Sequence, residues 1–472
     1  MKLARAIAWN TSIQFISKIL SIILGLITIA LMTRYLGQTG FGEYTTINTF
    51  LSFFAVAADL GLTLVTVQMI SQPNIDRDKT LSNLFSLRFF SALALLLMAP
   101  ITILFFPYSA SIKLGVLITS SCYFFVAMNQ IMVGLFQKDL QLGKVALAEI
   151  VSRLVLLLGV WLAVVFDWRL MGILWVSVLS CLSSFLVHFY YARRLAHISL
   201  NINWQVWLAI LKKSWPIGLT IIFNLIYLRA DTLLLSIFRS QEEVGIYGAS
   251  YKIIDVLITL PFIFAGIVLP IMTSAWLGNQ KQKFNLIIQK AFDLMAILAV
   301  PMVFGAFFLA DAIMAVVAGP EFAMAGNVLR LLIIASSTIY LGTVFSHAVI
   351  AIDKQKSIIG AYAFVAVTAL IGYFIFIPRY SYYGAAAVTI YSELAIALAA
   401  FVLVWRHSRF IPSFTTLFKS LLASLAMSLF LYYFKHIPLA LSIALGGLIY
   451  VITLFLLRGV TREDILEIMN KS

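Results

Sequence analysis

Charge is what this sequence lacks. Asp, Glu, Lys and Arg make up 11% of its 472 residues, against 62% apolar. A soluble chain of that length needs a far more polar surface, so the composition excludes an ordinary globular protein and points to a bilayer. Cysteine is nearly absent as well. Cys122 and Cys181 both lie in apolar runs, which argues against a disulfide framework or a zinc site and reads as two small core residues. The histidines, at 188, 197, 347, 407 and 436, are scattered without metal-ligand spacing. No GxxxxGK[ST] phosphate loop occurs, and GQTGFG at 37–42 lacks dinucleotide-binding spacing. Asp76-Arg77-Asp78 resembles a metal–sugar-nucleotide motif, but no soluble domain accompanies it. Neither a catalytic residue, a metal site nor a cofactor is expected. The alternating ten-residue pattern of outer-membrane strands is missing too.

What is present is a series of apolar runs of about 20 to 25 residues, the length a helix needs to cross a hydrocarbon core of roughly 30 Å. They predict fourteen spans, near 10–33, 44–70, 82–106, 113–136, 144–166, 170–192, 214–238, 245–274, 285–310, 328–350, 357–377, 383–405, 416–434 and 438–457. The basic start MKLARAIAW leads into a full-length span, so it reads as an uncleaved first helix. The net charge of +14 is dispersed over short loops, which argues against nucleic acid. Lys and Arg number 21 at the termini and even-numbered loops, including Arg193, Arg194, Arg406 and Arg409. They number 6 in the odd-numbered loops. Positive charge gathers on the cytoplasmic side, so both termini are expected there.

The chain also repeats itself. QTGFGEY at 38–44 and QEEVGIY at 241–247 share Gln38/Gln241, Gly42/Gly245 and Tyr44/Tyr247 at an offset of 203. GILWVSVLS at 172–180 and GAAAVTIYS at 384–392 share Gly172/Gly384, Val176/Val388 and Ser180/Ser392. Two echoes in the same order predict an all-α integral membrane protein of two pseudo-symmetric six-helix lobes running parallel, plus an appended pair. The expected division is an N-lobe over 1–195, a cytoplasmic linker over 196–212, a C-lobe over 213–410, and two C-terminal helices with a tail over 411–472.

Polar residues fall in stripes at helical spacing. Span 1 carries Asn10, Gln14, Ser17, Lys18, Ser21, Gly25 and Thr28 on one face. Span 2 carries Thr45, Asn48, Thr49, Ser52, Asp59 and Thr63. Shifted by 203, the pattern returns as Thr220, Asn224 and Asp231 in span 7 and as Lys252, Asp255 and Thr259 in span 8. Four related stripes predict one central cavity, because charge buried in a bilayer is costly unless solvated or paired. Small hydroxyls can instead serve as helix–helix glue. Glu149 and Arg153, four apart in span 5, can neutralise each other or meet a substrate. Arg229 falls opposite the Thr220–Asp231 face and is expected outside the cavity. Arg88 is near enough to a helix end to snorkel and is a second-rank candidate for the cavity mouth.

RYLGQTGFGEYTTINTF, ADLGL at 58–62, YLRADTLLLSIF and VGIYGASYKI resemble the Wzx-type polysaccharide export flippases, of the superfamily that includes MATE drug exporters and lipid II flippases. The resemblance spans the whole chain. It implies an inner-membrane flippase for an undecaprenyl-diphosphate-linked oligosaccharide, working by alternating access through a cationic cavity, to which Lys18 and Lys252 are carried over. Here the stripe is mixed in sign, with Asp59, Asp231 and Asp255. Implied partners are the lipid-linked oligosaccharide, membrane lipids, and polysaccharide polymerase and chain-length machinery. Proton or sodium coupling stays open. The alternative is a MATE-like cation-coupled multidrug exporter using the acidic residues.

Overall fold

The computed structural model describes residues 2–59, 61–70 and 76–459, and no strand occurs among them. Fourteen α-helices follow in order: α1 (Lys2–Asp59), α2 (Leu62–Ile70), α3 (Arg77–Thr102), α4 (Ala110–Lys138), α5 (Leu142–Val165), α6 (Arg169–Ala192), α7 (Trp204–Phe238), α8 (Gln241–Leu257), α9 (Thr259–Leu277), α10 (Lys281–Val317), α11 (Ala325–Ala351), α12 (Gln355–Ser408), α13 (Thr415–Tyr433) and α14 (Leu439–Leu456). The chain is a multi-pass membrane protein. Twelve helical stretches among the described residues are long and apolar enough to cross a bilayer.

Two of those stretches, Ile16–Asp59 with 44 residues and Gln355–Ser408 with 54, cannot be single crossings. At about 1.5 Å per residue they would reach roughly 66 and 81 Å, against a core of about 30 Å. Each breaks at one residue outside the helical region: Gly37 (φ 65°, ψ −174°) in α1 and Ser381 (φ 54°, ψ −137°) in α12. The fold-back at Ser381 is visible in its neighbours. A Cβ added to Gly384 would lie 2.3 Å from the Phe376 carbonyl oxygen, and the Tyr373 and Thr389 hydroxyls meet at 3.2 Å. Counting both halves of α1 and α12 brings the twelve stretches to fourteen spans.

Gly37 and Ser381 share a backbone conformation that only glycine adopts at little cost. The Ser381 hydroxyl is buried without a hydrogen-bond partner, so its removal sacrifices nothing. Ser381→Gly is therefore expected to stabilise the protein by about 1 kcal/mol. A thermal melt of the purified protein should move upward, and an unchanged or lower midpoint would refute the argument from backbone strain.

The chain divides into two compact units, Met1–Gly245 and Ile246–Ser472. In the first, α1 packs against α3, α4, α5 and α7, while α4 and α5 both pack on α6. α7, which the repeat assigns to the second half, here rests on α1, α2 and α3. Asp76-Arg77-Asp78 is structural: Asp76 caps the start of α3 through the Lys79 amide, and Arg77 pairs with Asp139. The expectation of two separate core cysteines is corrected. Cys122 on α4 and Cys181 on α6 are joined in a disulfide with a Cα–Cα separation of 5.2 Å. They are 59 residues apart in sequence, and the α4–α6 packing that unites them leaves no local signal. In the second unit, α11 packs on α9, α10 and α12, while α13 and α14 cover α10. The Tyr450 hydroxyl of α14 donates to the Ile297 carbonyl of α10 at 2.7 Å.

Candidate functional site

In the first unit a polar ladder rises through the helices between α1 and α5. At its foot the Lys18 ammonium meets Glu149 at 3.7 Å, with the lysine side chain 44% exposed. Glu149 thus forms its ion pair with Lys18 rather than with Arg153. Arg153, one turn further along α5, brings a guanidinium nitrogen to 3.8 Å from where a Cβ on Gly25 would lie. A Cβ at Gly25 would meet that nitrogen in ordinary van der Waals contact. Beside Arg153, Ser152 and Ser180 exchange a hydroxyl contact at 2.8 Å. Arg153 is also within electrostatic range of Tyr44, whose hydroxyl lies against Asn48 and Ser177. Above these, Tyr123 donates to the Asn48 carbonyl at 2.8 Å.

Helix rise sets the depth. Gly25 precedes the Gly37 turn by 12 residues, or about 18 Å, which puts Arg153 near mid-membrane. Lys18, 19 residues before Gly37, lies about 28 Å away, close to the far edge of the core. Glu149 supplies the ammonium there with the anion that lipid cannot offer.

Asp59 and Arg88 are brought together, away from that ladder. Arg88 is only 3% exposed; it bonds to Asp59 and donates from Nε to the Ala127 carbonyl at 3.2 Å. The pair occupies the break between α1 and α2, beside Gly61 at φ 77°. There the Ala58 carbonyl accepts from Arg88 at 3.5 Å and from the Ser91 hydroxyl at 3.1 Å. Arg88 and Ser91 thus supply the donors that a continuous helix would have provided from its own backbone. The structure places Arg88 in a structural clamp, not at a solvent-filled mouth.

Asp231 on α7 is fully buried, with its carboxylate taking the Thr232 hydroxyl at 3.1 Å and also the Thr232 amide. Gln14 is exposed. The side chains of Asn10, Thr220 and Asn224 lie outside the described residues. In the second unit, Lys252 and Asp255 are half-buried one turn apart on α8. The Asp255 carbonyl accepts from the Thr259 hydroxyl at 2.9 Å, and the Leu257 carbonyl from Tyr340 at 2.8 Å. α8 passes into α9 at Ile258, which keeps helical backbone angles (φ −68°, ψ −12°), unlike Gly61 at φ 77°.

Arg229 departs from the sequence expectation. It is half-buried and within electrostatic range of Tyr123, so α7 turns it toward the Asn48–Tyr123 pair on the span 2 stripe. The signal that could have revealed it was its own cost: an arginine nine residues from the end of a span, with no acidic residue at i±4, needs an interior destination.

A sequence model of the family "Polysaccharide biosynthesis protein" matches residues 7–276. No curated protein is similar enough in sequence to count as a match. Among solved structures, "Lipid II flippase MurJ, inward closed conformation" superposes with a TM-score of 0.78 at 19% identity, covering 93% of this chain and 97% of that one. An inward-facing MATE-family multidrug resistance transporter of the MOP superfamily follows at 0.68 and 14% identity, over 82% and 94% of the two chains. A point mutant of the Vibrio cholerae MATE transporter VcmN gives 0.59 at 10%, over 86% and 97%. At such identities the likeness is one of fold.

Proposed function

The chain belongs to the polysaccharide biosynthesis protein family, and from that premise we propose that it is a transporter, not an enzyme, that flips an undecaprenyl-diphosphate-linked oligosaccharide across a bacterial inner membrane. The cargo is an O-antigen, capsule or exopolysaccharide repeat unit, moved from the cytoplasmic to the outer leaflet by alternating access, with both termini cytoplasmic. The observation that carries this reading is the half-exposed Lys18 side chain, paired with Glu149 at the foot of a ladder that also holds Arg153. A diphosphate bears roughly two negative charges and is drawn strongly to cations in a low-dielectric surround. The fold likeness to a lipid II flippase is compatible with a lipid-linked cargo. In this reading Lys18 receives the diphosphate, Glu149 limits how tightly it is gripped, and Arg153 offers the next cation upward. Either a proton or a sodium gradient could drive the cycle.

Loss of the protein is expected to abolish a surface polysaccharide while its lipid-linked repeat unit accumulates on the cytoplasmic leaflet. In complementation at equal expression, Lys18→Arg should keep part of the activity and Lys18→Glu should lose at least tenfold. Unaltered surface glycan with new sensitivity to cationic dyes would establish the drug-export alternative instead. Full activity in Lys18→Glu would remove the lysine from the site.

A further inference from the structure

We infer that a trough at the basic end of α5 and α6, on the face of the first unit opposite the polar ladder, binds the phosphate headgroup of an anionic membrane phospholipid. The trough has a volume of about 730 Å³ and is lined by Leu147, Leu186, Tyr190, Tyr191, Arg193 and Arg194 among others. That size is within the roughly 300–1,000 Å³ of small-molecule sites. Arg194 lies over the Tyr190 ring at 4.3 Å and donates to its hydroxyl. Arg193 lies over Phe189 at 5.4 Å, and the Lys144 ammonium over Tyr191 at 5.2 Å. None of these three cations has an ion-pair partner among the described residues. Aromatic faces hold them in direction and leave their charge uncompensated. A planar guanidinium so held is pre-organised for two phosphate oxygens.

The position selects a lipid. The arginines follow directly on the last turn of a membrane-crossing helix, where tyrosines mark the headgroup level and basic pockets between helices take anionic headgroups. Leading away from them, Leu147, Leu154, Leu158 and Trp161 are all exposed on α5, at spacings of seven, four and three that keep them on one face. That strip is a bed for acyl chains. It also separates the trough from transported cargo: Leu147 and Glu149 are two residues apart, so about 200° of arc divides the lipid-facing strip from the ladder. A lipid in the trough is a resident of the bilayer. This inference does not rest on the proposed cargo.

The test uses the full-length protein, purified and examined by native mass spectrometry with phosphatidylglycerol or phosphatidylcholine. Wild type should retain phosphatidylglycerol in clear preference to phosphatidylcholine. R193Q/R194Q should bind it about 30-fold more weakly, from two lost charges at the membrane surface. R193K/R194K, which keeps both charges but loses the stacked two-oxygen fork, should bind at an intermediate strength, and R406Q/R409Q, at another basic end, should leave the binding unchanged. Both arginines are exposed, so the variants are expected to fold. Equal retention in R193Q/R194Q would overturn the site. So would displacement of phosphatidylglycerol by equimolar undecaprenyl diphosphate, which would make it a cargo site, or by millimolar inorganic phosphate, which would show that no lipid is required.

Discussion

Alanine at position 42 is expected to abolish transport at equal expression and to destabilise the protein by more than the roughly 1–3 kcal/mol usual for overpacking. A Cβ on Gly42 would lie 1.7 Å from the Gln241 carbonyl oxygen, and one on Gly245 would lie 2.0 Å from the Gln38 carbonyl oxygen. Each glycine thus faces the carbonyl four residues before the other. Both obstacles are backbone, which cannot rotate aside as a side chain can, so α1 and the start of α8 would have to separate. The Thr46 hydroxyl, which donates to the Gln241 side chain at 2.7 Å, would lose its partner in the same movement. Gly245→Ala should match Gly42→Ala. Gly266→Ala, where an added Cβ meets nothing within 4 Å, should be neutral or slightly stabilising. Thermal melts and glycan complementation read all three, and near-normal values for Gly42→Ala would mean that the helices do not cross so closely.

A comparable loss is expected for Arg88→Leu. The substitution strands Asp59 in a low-dielectric interior and leaves the Ala58 and Ala127 carbonyls short of donors, at a cost of about 3–5 kcal/mol. The proteins to compare are Arg88→Leu, Asp59→Leu and the double variant. If the pair clamps the break in span 2, the double variant should recover part of what either single loses, because no uncompensated charge then remains. Additive losses in the melting temperature would show that the two side chains act independently. A wild-type melt for Arg88→Leu, with activity lost, would return Arg88 to the transport path.

The helices were legible because hydrocarbon thickness imposes length: runs of about 20 apolar residues have no other stable place in a membrane. The turns at Gly37 and Ser381 were legible too, as the gaps between spans 1 and 2 and between spans 11 and 12. Lys18 and Glu149 were each marked by the cost of a charge within a span, but their pairing across α1 and α5 required the packing. A helical wheel turned Arg229 outward because the hydroxyl and carboxylate face of span 7 was taken as the wet one. Asp231 instead is fully buried, with its carboxylate accepting from the Thr232 hydroxyl. The Arg88–Asp59 pair and the Cys122–Cys181 bond are contacts between distant turns, which periodicity along one helix cannot register.

The crossing of Gly42 and Gly245 also accounts for why the two echoing phrases agree in glycine at those positions. After a gene doubles within one reading frame, the two copies drift apart wherever each side chain answers to its own surroundings. At residues where the copies touch one another, a larger side chain in either is blocked by the backbone of its twin, and no change in the twin's side chain can make room. Drift there is arrested in both copies at once. Two such positions, 42 and 245, stand within the phrases by which this chain still reads as a doubled one.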